Sequence, residues 1–496
     1  MSPSSTPTSS PEPAPTSLRG AWLLLTLLCA AEFVTILDFS IATVALPAID
    51  EDLGLSISAL PWVLNAYGVA IAGLLLLGGR MADVLGRRAV FAAGMALFTI
   101  ASLIGGFAES PALLIAMRAV QGIGAALVTP AALSIITTYF EDDDVRNRAL
   151  GVWGAIGASA LAAGLILGAI ITESIGWRWI LWVNVPIGVL ALVLTPGTLP
   201  RNHRMVGQSL DLPGATVAVS GLVAFVYGVG RIEQTGIGSP TTSALIIGGL
   251  ALLVAFPFVE RVVSSPLAPP ALLANRSVAS ANLVSLAANG SFAGAFVLVS
   301  LHLQLVLDIG ALATGFVLVP MAVSVAFGAA VLSARLVGRF GPRALIAGGM
   351  TVCAVGLAGL ALAVHEGFSW ALVLPGSVAA GLGYGTAFPA WTIVGIEHVE
   401  DDRQGVASGL LVTTQEVGAS LGFAVMVAIV ASFVGDSTSV SAAADGYRWA
   451  IVAAAGLAAL GAALAAATPR VPQTADDVGP SRDPHPAAHP RPASGV

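Results

Sequence analysis

Four ionisable side chains lie deep inside otherwise apolar runs: Glu32 and Asp38 in the first run, Arg118 in the fourth and Glu416 in the thirteenth. A charge placed in hydrocarbon is costly, so such residues are candidates for moving protons, ions or charged substrates. A buried carboxyl can take up and release a proton, and its affinity for that proton depends on where the nearest cation sits. Asp38 lies about eight residues before the expected end of its helix, about 12 Å below that surface at 1.5 Å per residue. Arg118 lies about seven residues into a helix running the other way, about 10 Å below the same surface. An Asp38–Arg118 pair is therefore feasible. Two readings of it stay open: a structural ion pair that fixes two helices, or a proton-coupling site. Glu32 falls near midplane, about 120° around the helix from Asp38. It can bind a cationic substrate, take up a proton or hydrogen-bond as a neutral acid. Glu416 falls near midplane of its own helix. It can face the same cavity from the other end of the chain, or pack as a protonated acid.

Other candidates carry weaker chemistry. Tyr384, Phe388 and Trp391 follow an i, i+4, i+7 stripe, which reads as packing or as a cavity wall. His302, near one end of the ninth run, reads as an interface residue before it reads as a proton relay. The acidic run Glu141–Asp144 beside Arg146 and Arg148 reads as a solvated face. Cys29 and Cys353 both lie in apolar runs, so neither a disulfide nor a metal framework is expected. The sequence has no nucleotide loop, no metal-ligand cluster and no nucleophile beside a base. No catalytic residue, metal or cofactor is expected, and the protein is not expected to be an enzyme.

The elements that must position these side chains are helices in a bilayer. The chain is 56% hydrophobic and 10% charged, far from the roughly 25% charged of a soluble domain. Fourteen apolar runs of about 20 residues recur, the first over 21–46, and each can cross a ~30 Å hydrocarbon core. Helices satisfy their own backbone polar groups in lipid, and the alternating ten-residue strands of a barrel are missing. The fold class is thus an all-α polytopic membrane protein. All 21 basic residues are arginine. With the N-terminus inside, only Arg178, Arg231 and Arg448 fall in outer loops, Arg118 is embedded, and all others are inside. That asymmetry fits both termini in the cytoplasm. The first 18 residues lack the basic region of a cleavable signal peptide. Trp22, Trp62, Trp177, Trp179, Trp370 and Trp449 fall at helix ends and read as interfacial anchors.

Two short arginine–glycine turns divide the chain similarly. Gly78–Arg88 (GGRMADVLGRR) lies between runs 2 and 3, and Ser333–Arg343 (SARLVGRFGPR) between runs 10 and 11. If they are equivalent, helices 1–6 repeat as helices 9–14 and two helices are inserted. Internal repeats of this kind build many transporters. The expected organisation is a disordered tail over 1–18, a six-helix half over 19–205, two inserted helices and a central loop over 206–276, a second half over 277–470, and a disordered tail over 471–496. Gly164 and Gly168 in helix 5 match Gly418 and Gly422 in helix 13, small residues four apart that allow close packing or act as hinges. In the first turn, Gly79, Asp83, Gly86, Arg87 and Arg88 suit an inner gate. The glycines permit a tight turn, and Asp83 can approach a helix N-terminus, where a carboxylate is favoured.

That first turn resembles the loop between helices 2 and 3 of the major facilitator superfamily, roughly G-x-L-A-D-R-x-G-R-R/K, with Val84 where arginine is usual. Leu37–Ile49 (LDFSIATVALPAI) resembles the L-D-x-T-I-V-N-V-A-L-P signature of its fourteen-helix drug:proton antiporters. Arg118–Pro130 (RAVQGIGAALVTP) matches R-x-x-Q-G-x-G-A-A in full. Gly176–Gly188 (GWRWILWVNVPIG) and Asp211–Gly214 (DLPG) are similar to the helix 5–6 junction and the start of inserted helix 7. Helix 5 departs from G-P-x-x-G-G: Leu165 replaces the proline and Ala169 one glycine. That motif is associated with antiport, so its loss bears on exchange more than on fold.

The resemblance implies a major facilitator fold of 6 + 2 + 6 helices in a bacterial plasma membrane. It implies proton-coupled export of lipophilic drugs or antibiotics. The partners are then protons, the lipid bilayer and a lipophilic small molecule, cationic if the acids bind it. No nucleic acid is expected, and the expected state is a monomer. Asp38, Arg118, Glu32 and Glu416 are the proton-coupling candidates. Glu32, Gln121, Tyr384, Phe388, Trp391 and Glu416 are the cavity candidates. Alternatives are a dedicated exporter or uniporter of a self-made metabolite, and a membrane sensor without transport.

Overall fold

The computed structural model describes residues 18–468 apart from 56–58, 141, 201–209, 237, 264–265, 365–368, 398, 400–403 and 435–438. The tails expected over 1–18 and 471–496 lie outside these residues, except for Leu18. Among the described residues, fourteen helices are long and apolar enough to cross a membrane. They are α1 (Gly20–Leu53), α2 (Trp62–Leu85), α3 (Arg87–Gly105), α4 (Pro111–Tyr139), α5 (Arg148–Ile175), α6 (Trp179–Thr198) and α7 (Leu212–Gly230). The others are α8 (Pro240–Val259), α9 (Arg276–Val306), α10 (Ala311–Phe340), α11 (Pro342–Ala363), α12 (Trp370–Ile396), α13 (Val406–Val434) and α14 (Val440–Ala467). An even number of crossings returns the chain to the side it started from. That side is called here the terminal face, and the other the far face.

Most helix ends fall where the apolar runs end. The difference that bears on Asp38 is in α1, expected to stop near residue 46. It continues through Pro47 to Leu53. Proline removes one backbone donor, a loss that packed membrane helices tolerate, and Ile49 beyond it is 1% exposed, so the apolar face continues. Asp38 is thus about four turns from the helix end, deeper along the helix than its predicted two. Asp142, expected on a solvated acidic face, is exposed and also caps the helix that continues as α5, its side chain accepting from the Val145 N–H at 3.0 Å.

Packing repeats along the chain. α1 lies on α5, and α9 on α13; α2 and α3 lie on α4, and α10 and α11 on α12; α6 meets α1 and α3, and α14 meets α9 and α11. The two six-helix groups touch each other through α2 against α13 and α5 against α10, pairs that exchange when the groups are exchanged. The inserted helices α7 and α8 form a hairpin whose α7 lies against both α2 and α13. α8 is left facing outward, with only Thr242 and Gly249 of its described residues buried.

Apolar contact between the groups is uneven along the bilayer normal. Towards the far face one core joins Leu37, Ile41, Leu46 and Val63 to Phe292, Phe296 and Val317 of the last six helices. Towards the terminal face the first six helices have a core of their own, around Leu24, Leu28, Phe91, Met95 and Ile136, with no residue from the last six. Burial of apolar area holds the far ends together, and the terminal ends of α1, α3, α4 and α6 pack among themselves.

Candidate functional site

Asp38 and Arg118 are both 1% exposed and form an ion pair through Arg118 Nη1 and Asp38 Oδ2. Asp38 Oδ1 also accepts from Asn184 Nδ2 at 2.6 Å and Gln121 Nε2 at 3.2 Å. Gln121 Oε1 accepts from Arg118 Nη1 at 3.0 Å, and its amide donates to Ser102 Oγ at 2.7 Å. Arg118 Nε donates to the Val63 carbonyl at 2.9 Å, and the guanidinium lies 4.6 Å from the Tyr67 ring centroid. Five helices, α1, α2, α3, α4 and α6, thus converge on one carboxylate. Hydrogen bonds to the remaining polar atoms offset the cost of burying an ion pair: both Asp38 oxygens are engaged, while Arg118 Nη2 has no hydrogen-bond partner among the described residues.

Glu32 lies towards the terminal face on the same helix. It is 6% exposed, and its Oε2 accepts from Thr129 Oγ1 at 3.2 Å. Glu416, on α13, lies within electrostatic range of Glu32 and of Tyr67. Tyr67 stands between these acids and the Asp38 network, its hydroxyl donating to the Thr35 carbonyl at 2.9 Å. Glu32 and Glu416, one from each helix group, thus lie within range of each other's charge, and Tyr67 lies within range of both and of Asp38. Thr414 donates to Asn282 at 2.6 Å, and Tyr384 to Asn289 at 2.8 Å, which ties α9 to α13 and to α12.

The aromatic stripe on α12 forms one cluster. Tyr384 stacks on Phe292 at 4.3 Å between centroids, and Trp391 is edge-on to both Tyr384 and Phe388. Phe388 is partly exposed, Tyr384 is 9% exposed and Trp391 is 0% exposed. Neither Trp391 nor Gln121 reaches an open surface: one packs in the core, and the other is spent on Asp38 and Ser102.

The two turns are alike in detail. Gly86, at φ 99°, separates α2 from α3, and Gly341, at φ 77°, separates α10 from α11. Side chains rarely adopt that conformation. Arg88 Nη1 reaches the Leu199 carbonyl beyond α6 at 3.4 Å, and Arg343 Nη1 reaches the Thr468 carbonyl beyond α14 at 3.5 Å. Arg87 donates to Thr138 Oγ1 at 2.5 Å and lies 3.9 Å from Asp83. Asp83 thus sits beside the N-terminal residue of α3. Gly79 lies against Pro130 of α4. The paired glycines also correspond. Gly164 and Gly168 sit where α5 crosses α1 at Ser40 and Ile41, and Gly418 and Gly422 where α13 crosses α9 at Leu286 and Gly290.

At the far face, Glu173 of α5 accepts from the Leu312 N–H at 2.7 Å, at the start of α10. Arg178 bridges to Asp52 at 2.6 Å and to the Ala108 carbonyl at 3.1 Å. Trp177, expected as a lipid-facing anchor, is 4% exposed and donates to Asp52 at 3.1 Å. His302 is 3% exposed, with its ring 5.7 Å from that of Tyr447.

Sequence reasoning did not assign Asn184, Ser102, Tyr67, Thr129, Asn282 or Asn289. Asn184 had a signal: a lone amide in an apolar run, within the GWRWILWVNVPIG segment. The others are neutral polar residues whose roles appear only when helices are packed.

With this geometry in place, likeness to known proteins is informative. The major facilitator superfamily pattern matches residues 28–423. The puromycin resistance protein of Streptomyces alboniger is 38% identical over 458 residues, 90% of this chain and 90% of that protein. The cephamycin export protein of Amycolatopsis lactamdurans is 38% identical over 457 residues, 91% and 92% of the two chains. The tetracenomycin C resistance and export protein of Streptomyces glaucescens is 30% identical over 427 residues, 84% and 78%. Among solved structures, the human organic anion transporter MFSD10 superposes with a TM-score of 0.62 at 15% identity, over 89% of this chain and 98% of that one, a likeness of fold alone. A multi-pass, fourteen-helix architecture, motifs in order along nearly the whole chain and these relatives agree: the chain belongs to the major facilitator superfamily.

Proposed function

We propose that this protein is a proton-coupled exporter of lipophilic small molecules, cationic ones among them, across a bacterial plasma membrane. The observation that carries this reading is that Glu32 of the first helix group and Glu416 of the second lie within electrostatic range of each other. Two acids in one midplane site can attract a lipophilic cation or hold protons, and the two uses exclude each other, as exchange requires. The names of the relatives support drug or antibiotic export. The placement of arginine supports a cytoplasmic terminal face, so the joined far-face core would close the periplasmic side.

In this reading the halves 19–205 and 277–470 rock about the 206–276 insertion. The glycine pairs at 164/168 and 418/422 act as pivots, and the Gly79–Arg88 turn acts as the cytoplasmic gate. Asp38 and Arg118 hold the first half in register and couple its polar network, through Tyr67, to the acids. Tyr384 and Phe388 offer an aromatic wall to the substrate. The protein works as a monomer.

A second reading, a dedicated exporter or uniporter of a self-made metabolite, is favoured by Leu165 and Ala169 in place of the proline and glycine of helix 5. A susceptibility panel in an efflux-deficient host, with and without a protonophore, tests both. Resistance to several unrelated lipophilic drugs that disappears with the protonophore supports the first; resistance to one compound that survives it supports the second.

A further inference from the structure

Away from the interface between the two helix groups, two acids meet where the inserted hairpin closes. Asp211 caps the start of α7 and Glu260 the end of α8, and they are 0% and 1% exposed. Asp211 Oδ1 accepts from the Gly214 N–H at 2.7 Å, and Oδ2 from the Leu267 N–H at 3.4 Å. Glu260 Oε2 accepts from the Ala268 N–H at 2.7 Å. Glu260 Oε1 receives no hydrogen bond from any described N–H or O–H. That oxygen faces Asp211: both it and Asp211 Oδ2 lie within 2.5 Å of the point a Cβ on Gly214 would occupy. Glycine at 214 is what lets the two carboxyls meet.

No basic side chain among the described residues neutralises the pair. Arg261 is exposed, its guanidinium 5.2 Å from the Phe258 ring, and Arg276 is exposed. The segment 266–274 has no titratable group. On α7 the remaining one is Tyr227, at the opposite end, and α8 has none before Glu260. On α2, Arg80 lies in range of Asp83, as does Arg87, in their own turn, and on α13 the acid is Glu416, near midplane. Two buried carboxylates at this range cannot both stay charged. A proton on one of them supplies the hydrogen bond that Glu260 Oε1 lacks.

We propose that Asp211 and Glu260 form a proton-binding site separate from the midplane acids, in which one shared proton latches the inserted hairpin to segment 267–272. The segment matters because Ala268 and Leu272 pack with Val278, Val399, Ala407 and Leu410, against Leu76 of α2. The latch therefore ties the hairpin to the seam between the two helix groups at the terminal face. Burial lifts the Glu260 carboxyl from its ordinary 4.5 to about 7, the Ala268 amide opposing and the Asp211 contact adding. The latched form then holds more protons than the released form between about pH 4.5 and pH 7. Latching is strongest below that window and is lost as pH rises through about 7.

The test is amide hydrogen exchange of the full-length protein in lipid nanodiscs, read on peptides spanning 260–275 at pH 6 and pH 8. It requires no transport, so it stands or falls apart from the exporter reading. After correction for intrinsic exchange, wild-type exchange in these peptides should rise roughly tenfold or more between the two pH values. Glu260→Gln, whose amide donates to Asp211 at any pH, should be flat. Asp211→Asn restores a neutral pair from the other side and should also be flat, which covers the case in which Glu260→Gln does not fold. A flat wild-type profile, or one shared with the folded variants, would overturn the proposal.

Discussion

Asp38 accepts hydrogen bonds from three side chains, and Glu32, less than two turns away on the same helix, accepts one, from Thr129. The difference assigns different work to two acids that look alike in the sequence. Asp38 has both oxygens bonded, to Arg118, Gln121 and Asn184. Glu32 has an oxygen to spare and a second acid, Glu416, in range. Glu32→Gln and Glu416→Gln should therefore lower gradient-driven accumulation by roughly tenfold or more while downhill exchange persists. Asp38→Asn should impair both. Gradient-driven transport at the wild-type level in both glutamine variants would return the proton to Asp38.

The Asp38–Arg118 pair also makes a stability prediction. Removing one partner of a buried ion pair typically costs about 3–5 kcal/mol, because a buried charge is left alone. Arg118→Ala should lower the Tm of the purified protein more than Asp38→Asn does, since the neutral amide can keep part of the network. The double variant Asp38→Asn, Arg118→Gln should be more stable than Arg118→Ala. Additive losses across Asp38→Asn, Arg118→Gln and their double variant would show that the pair contributes little.

How far this was legible in the sequence can be judged at the same residues. The acids and Arg118 stood out because charge in an apolar run is rare, and helix rise placed Asp38 and Arg118 at one depth. That agreement survived an error, because α1 runs on through Pro47. The fourteen crossings were legible because lipid imposes one length and one hydrophobic pattern. Asn184, Tyr67 and Thr129 were not singled out, because a neutral polar residue carries no cost until its neighbours are known. The Asp211–Glu260 contact was hidden for another reason: its members lie almost fifty residues apart, at opposite ends of a hairpin whose pairing only packing reveals.

Glu173 holds the start of α10 to the end of α5 at the far face, a contact that must break if that face opens. Glu173→Ala should shift the population towards a far-face-open form. A single cysteine at Gly310 should then react faster with a membrane-impermeant maleimide added on the far-face side than it does with Glu173 intact. Equal labelling rates would mean that the far face is held by its apolar core alone.

Gly422 and Gly456 separate close packing from ordinary helix propensity. A Cβ on Gly422 would fall 2.4 Å from the Gly290 Cα, whereas one on Gly456 would meet nothing within 4 Å. Gly422→Ala should push α13 off α9, with lower yield and lost transport. Gly456→Ala should be neutral or gain about 0.5–1 kcal/mol, since alanine is the better helix former. Equal behaviour of the two would mean that α9 and α13 do not need this approach.

The most direct test of the exporter reading is transport by the purified protein in liposomes of defined pH, with ethidium as a fluorescent lipophilic cation. A gradient imposed so that protons run against the export direction should drive ethidium uphill, a protonophore should abolish the accumulation, and Glu416→Gln should abolish it without the protonophore. Ethidium movement that is only downhill, at a rate the same with and without the gradient, would contradict proton-coupled export.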